Sequence, residues 1–157
     1  MIVVADTTPL NYLILIEEIE LLPRLYEKVL IPPAVHAEML RPKAPPAVQA
    51  WASSLPQWCE IRQLSSGTPV MMAELDPGER EAIALALDSC VEMLLIDDNE
   101  GRREALRLSL KVAGTIAVLE KGSQRGFTDF RKALKRLDGT NFRISASIRA
   151  AFLARNP

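Results

Sequence analysis

Metal-binding nitrogen and sulfur are scarce in this chain of 157 residues, which has one histidine, His36, and two cysteines, Cys59 and Cys90. The cysteines form no Cys-x-x-Cys pair and no cluster with histidine, so they are read as reduced packing residues, and zinc held by its usual ligands is not expected. Aromatic residues are also few, at 5% of the chain. That argues against a stacking platform that reads bases in sequence and favours recognition through backbone and shape. No apolar run approaches the roughly 20 residues of a membrane span. The amino terminus has no basic segment followed by an apolar signal core. The expectation is a protein of the cytoplasm with no membrane attachment, folded as a single domain over residues 1–157.

The near-zero net charge of −1 conceals a division. Residues 1–100 carry 6 basic against 16 acidic side chains, a balance of −10, and residues 101–157 carry 13 against 4, a balance of +9. An acidic cluster beside a basic surface suits a site that holds cations and a polyanion together; two ordinary solvated faces would give the same count.

Two short apolar runs end in aspartate: Ile2-Val3-Val4-Ala5 leads into Asp6, and Met93-Leu94-Leu95-Ile96 leads into Asp97-Asp98. Uniformly apolar runs of this length read as strands buried on both faces of a parallel sheet, and open α/β sheets place their chemistry at the carboxyl ends of such strands. Helical patterns alternate with the strands. After Asp6 comes a helix with apolar Leu10, Leu13, Ile14 and Ile16, then a second over Ile19 to Tyr26. A strand at Val29-Leu30-Ile31 meets Pro32-Pro33, which pre-sets a helix over Ala34 to Leu40. Three prolines in Arg41 to Pro46 mark a loop before a short helix near Trp51, and Trp58 to Arg62 reads as an accessory strand. Asp76-Pro77-Gly78-Glu79 opens a helix to Ser89; a helix over Glu100 to Leu108, a strand at Lys111-Val112-Ala113 and a helix from Gly114-Thr115 follow. Residues 128–157 add two helices, Thr128 to Leu137 and Ser145 to Leu153. The alternation predicts a three-layer α/β/α fold with a short central parallel sheet.

Each acid has a plain reading and a chemical one. Asp6 is either a helix cap or a site residue. Glu38 is either solvated or functional. Glu79 stands three residues after Asp76, a capping-box position, yet its spacing from Ala82, Ile83 and Ala86 puts it at the leading end of the face packed on the sheet. Glu81 is expected to point outward. Asp97 and Asp98 are adjacent and point to opposite sides, so one of them faces Asp6. Asp97 is the first choice, with Asp98 a helix cap or outer ligand. An aspartate-nucleophile phosphatase would need a second aspartate two residues after the first, where this chain has Thr8.

The order Val-Val-Ala-Asp6, Pro-Pro-Ala-Val-His-Ala-Glu38, Leu-Asp-Pro-Gly-Glu79, Leu-Leu-Ile-Asp97-Asp98 with Gly101-Arg102-Arg103, Gly114-Thr115 and the tail Asn141-Phe142-Arg143-Ile144-Ser145 resembles a PIN domain. It looks closest to the prokaryotic branch related to VapC toxins. The resemblance implies a metal-dependent endoribonuclease, the toxin of a toxin–antitoxin pair, with Asp6, Glu38, Glu79 and Asp97 or Asp98 as acidic residues and Thr7 or Thr8 as a supporting hydroxyl. Many PIN domains have aspartate where this chain has Glu79, and the doubled aspartate leaves the fourth position open. Asp6, Glu79, Asp97 and Asp98 are the expected metal set, with Glu38 orienting water or holding a second ion. Carboxylates packed together repel one another unless a cation or a proton intervenes, and an all-oxygen set selects Mg²⁺ or Mn²⁺. His36, two residues before Glu38, points elsewhere. Thr7, Arg102 and Arg103 lie on the substrate side, and Lys132, Lys135 and Arg136 form a basic stripe that serves RNA or simple solubility. The expected partners are RNA, a small antitoxin protein and a second copy in a homodimer. The alternative is a PIN-like regulatory module with little activity, using exposed apolar surface between Leu10 and Tyr26 as its interface.

Overall fold

The computed structural model describes residues 1–65 and 74–157. Among them the chain forms β1 (Ile2–Ala5), α1 (Thr7–Leu15), α2 (Leu21–Leu25), β2 (Lys28–Ile31), α3 (Pro33–Met39), α4 (Pro46–Ser53), β3 (Cys59–Ile61), α5 (Pro77–Asp88), β4 (Met93–Leu95), α6 (Asn99–Arg107), β5 (Lys111–Ala113), α7 (Thr115–Gln124), α8 (Phe130–Asp138) and α9 (Ala146–Arg155). The expected accessory strand is β3, at one edge of the sheet.

All pairings are parallel and the strand order is β3-β2-β1-β4-β5. The order reverses at β1: the chain first builds outward through β2 and β3, then crosses to β4 and β5 on the other side. Crevices open at the carboxyl ends of strands at such a reversal, and ligands of α/β sheets bind there. Asp6 and Asp97 follow the two strands that meet at this point, and the Asp6 amide donates to the Leu95 carbonyl at 2.9 Å.

Strand alternation divides the core in two. Val3, Ala5, Val29, Ile31 and Leu95 pack with residues of α1, α2, α7 and α8, whereas Val4, Leu30, Leu94 and Ile96 pack with α5 and α6. Each fully buried leucine or isoleucine contributes about 1.5–3 kcal/mol. The three-layer α/β/α arrangement is therefore present as expected.

Three details depart from the sequence reading. Leu10, Leu13, Ile16, Leu21, Leu22 and Tyr26 are buried, and no large hydrophobic residue between Leu10 and Tyr26 is exposed, so that stretch is core and presents no open apolar face. The second helix is shorter than its apolar pattern because Glu17 turns left-handed (φ 61°) and Glu20 restarts the chain as the cap of α2. Cys59 is a buried packing residue, but Cys90 is exposed, with φ 54°, just past the end of α5. Cys90 fills a left-handed helix-end position more often taken by glycine.

Candidate active site at the carboxyl edge of the sheet

Asp6 occupies the cap position of α1 but its carboxylate makes no capping bond. The contrast with other caps is informative: Asp76, Asp98, Asp129 and Ser145 accept amide hydrogens from Glu79, Gly101, Lys132 and Ile148, respectively. Asp6 is also buried, at 3% exposure. Burial, opposed by the Thr7 amide and reinforced by Asp76, Glu38 and Asp97, pushes its carboxyl up to about 7. A buried acid with other acids around it and no cation against it is poised to take a positive ion or a proton.

Glu38 reaches the same place from α3. Its Oε2 accepts the Thr7 hydroxyl at 2.9 Å, which fixes it against the start of α1. Gly78, at the start of α5, is the floor of the cluster: a Cβ there would lie 2.8 Å from Glu38 Oε2 and 3.5 Å from both Asp6 Oδ1 and Asp76 Oδ1. Three carboxylates thus face one point that only a residue without a side chain leaves open.

Glu79 is half-buried on the next residue of α5. Its amide donates to Asp76 Oδ1 at 2.9 Å, one half of a capping box. Its carboxyl group, however, meets the Asp76 side chain, and burial together with Asp76, Asp98 and Asp6 pushes it up to about 8. Glu79 therefore belongs to the acidic cluster electrostatically while its backbone serves the cap.

The adjacent aspartates separate as strand alternation requires. Asp97 Oδ1 accepts the Thr115 amide at 2.8 Å and Oδ2 accepts the Thr115 hydroxyl at 2.6 Å. Burial raises the Asp97 carboxyl, while Thr115 and the Arg102 guanidinium oppose the rise. Asp98 is exposed and caps α6 through the Gly101 amide at 2.9 Å. It acts on Glu79, whereas Asp97 acts on Asp6.

Arg102 lies over Gly114 beside Asp97, where a Cβ on Gly114 would come 2.8 Å from Arg102 Nη1 and 2.7 Å from Asp97 Oδ1. Arg103 is exposed and stands outside this contact. Thr8 lines, with Thr7, Glu38, Arg41 and Lys43, a cleft of about 300 Å³ on the α3 side. His36 points away, as expected, with Nε2 2.9 Å from the Ala52 carbonyl. Glu81 does not point freely outward: its carboxylate accepts the Ala34 amide at 3.3 Å, capping α3, whose own cap residue, Pro32, makes no side-chain capping bond. In the basic stripe of α8, Arg136 is paired with Glu18.

The structure therefore brings Asp6, Glu38, Glu79 and Asp97 to one edge and adds two residues that sequence reasoning did not place there. Asp76 looked like a cap alone, and it is also the strongest acidic neighbour of Glu79. Thr115 looked like the start of a helix, yet it anchors Asp97; the signal was its position at the carboxyl end of β5, on the same edge. Among the described residues, no three Asp, Glu, His or Cys side chains are gathered tightly enough to enclose an ion as they stand. The donor set still fits a hard divalent ion: it is all oxygen, crowded, and short of positive charge.

Comparison with known proteins agrees with this architecture. A PilT N-terminus domain protein, SSO1118, from the hyperthermophilic archaeon Sulfolobus solfataricus P2 superposes with a TM-score of 0.52 at 14% identity, covering 92% of this chain and all of that one. At that identity the likeness speaks to fold. No curated protein matches the sequence. The DUF3368 family, described as a PIN domain, matches residues 2–156, and the chain belongs to that PIN-domain family.

Proposed function

We propose that the chain is a metal-dependent endoribonuclease that hydrolyses RNA phosphodiesters, of the kind that serves as a VapC-like toxin opposed by a small antitoxin. PIN domains are generally nucleases and typically use divalent ions. The single observation that carries the reading here is Asp6: a buried carboxylate at a helix cap position that caps nothing and is surrounded by Glu38, Asp76 and Asp97.

Asp6, Glu79 and Asp97 would hold Mg²⁺ or Mn²⁺, with Asp98 at the margin; when bound, the ion supplies charge to activate a water and to stabilise the leaving oxygen. The chain's own residues do the rest. Thr115 fixes the rotamer of Asp97, and the Thr7 hydroxyl fixes Glu38, which orients the attacking water. Arg102, half-buried beside Asp97, faces the substrate phosphate, while Arg103 and the basic tail draw the polyanion in. Hydrolysis in line would leave a 5′ phosphate and a 3′ hydroxyl.

The test digests a mixed RNA pool with wild type and with Asp6→Asn purified in parallel, in Mn²⁺ and in chelator. Cleavage by wild type only, and only with the ion, supports the proposal. Equal cleavage by both proteins, or none by either, overturns it.

A further inference from the structure

The tail motif Asn141-Phe142-Arg143-Ile144-Ser145 is not absorbed by the acidic cluster, and it builds a second cleft against it. This cleft, about 310 Å³, is bounded by Asp97 and Arg102 on one side and by Phe142, Arg143, Ile148 and Phe152 on the other. Its walls differ in kind. Apart from Arg143 and Ser145 the tail side is apolar, with Ile148 at 51% exposure although α9 lies on the protein. The rim is cationic, and among the described residues Arg143 is exposed and pairs with no carboxylate.

The wall is held firmly in place. The Tyr12 hydroxyl donates to Asn141 Oδ1 at 2.7 Å, and the Tyr12 and Phe142 rings meet edge to face at 4.9 Å. Arg149 grips Asp138 through two bonds of 2.6 and 2.7 Å, and Asn156 donates to Glu120 at 2.7 Å. The cleft is thus formed before anything binds, which limits the ordering lost on binding.

We propose that this cleft takes one nucleotide of single-stranded RNA beside the bond that is cut, with its phosphate against Arg102 and Arg143 and its base against Phe142, Ile148 and Phe152. The inference rests on the nuclease reading above and names where its substrate lies. A lone exposed isoleucine is ordinary. An isoleucine sharing a slot with two aromatic rings, two guanidinium groups and a carboxylate of the acidic cluster matches a ligand that is apolar on one side and anionic on the other. The volume lies at the lower end of the roughly 300–1,000 Å³ usual for ligand cavities, enough for one nucleotide and too little for a duplex.

The experiment measures fluorescence anisotropy of a labelled single-stranded oligoribonucleotide on full-length Asp6→Asn protein, with Arg143→Ala or Ile148→Asp added, and Lys111→Ala at the amino end of β5 as control. Each tail variant should weaken binding about 5- to 50-fold. Arg143→Ala should also lower the salt slope by about one, while Lys111→Ala leaves both unchanged. The same tail variants with Asp6 intact should keep the wild-type thermal shift in Mn²⁺, which separates a lost subsite from a lost fold. RNA binding that neither variant alters overturns the cleft and leaves the nuclease reading standing. Loss of self-association in place of RNA binding overturns it in favour of a protein interface. An absence of RNA binding and cleavage in every protein overturns both.

Discussion

Replacing Asp6 with asparagine should make the metal-free protein more stable in mildly alkaline solution, and the electrostatics of the site set the size of the gain. In the folded chain the Asp6 carboxyl is pushed up to about 7 from an ordinary value of 3.8, mainly by burial and then by Asp76, Glu38 and Asp97. Each unit corresponds to about 1.36 kcal/mol, so a rise of about three units sets a ceiling near 4 kcal/mol. Between about pH 4 and pH 7 the folded state retains a proton that the unfolded chain has released, so stability falls as pH rises through that window and the loss is complete above it. Asparagine stays neutral throughout. The variant should match wild type below about pH 4 and exceed it at pH 8 by on the order of 2–4 kcal/mol. Glu79, pushed up to about 8, carries the decline to higher pH in both proteins. Urea denaturation at a series of pH values in chelator measures the difference directly. Adding Mn²⁺ should close most of the gap, because a ligand at 100 times its dissociation constant stabilises the folded state by about 2.7 kcal/mol and the variant lacks the central carboxylate. A difference between the proteins that does not change with pH, or an Asp6→Asn protein less stable than wild type at pH 8, would refute the reasoning.

Further predictions concern the residues around Asp6. Thr115→Val removes the hydroxyl that holds Asp97 Oδ2 and keeps the amide bond to Oδ1, so RNA cleavage and Mn²⁺ affinity should drop about 10- to 100-fold, with Thr115→Ser restoring most of both. Gly78→Ala would drive a methyl group to 2.8 Å from Glu38 Oε2, the movable end of that side chain. Denaturation should therefore shift by less than about 1 kcal/mol while the Mn²⁺ thermal shift shrinks. Asp98→Ala removes the cap of α6 and should cost about 1 kcal/mol in chemical denaturation, with a smaller loss of cleavage than Asp97→Asn causes. Leu13→Ala, at a position fully buried between α1 and the sheet, should cost about 2–5 kcal/mol and leave the pH dependence of stability unchanged.

Much of the site was legible because its carboxylates follow signals that are local in sequence. Val3-Val4-Ala5 and Leu94-Leu95-Ile96 are uniformly apolar because both faces of the sheet are covered, and a strand that ends in aspartate delivers it to the sheet's carboxyl edge. Glu79 was legible through helical spacing. Other features depend on contacts between residues distant in sequence. Thr115 is paired to Asp97 across 18 positions and Thr7 to Glu38 across 31, and neither pairing leaves a periodic trace. Asp76 was half legible because one carboxylate can cap a helix with its Oδ1 and also press on Glu79. The stretch from Leu10 to Tyr26 was misread for a different reason: helices that are apolar on most sides are buried by neighbours, here α7 against both helices and α3 and α4 against α1, whose positions no local pattern announces. Cys90 was misread because the backbone turn it occupies depends on how α5 ends.

The central claim is that carboxylates from β1, β4 and α5 converge on one divalent ion. Crystals grown with Mn²⁺ and measured for anomalous scattering at the manganese edge test it most directly. A peak within coordination distance of Asp6 and of at least one of Glu79 and Asp97 is the predicted result. No peak at millimolar Mn²⁺, or a peak that leaves Asp6 unbound, would contradict it.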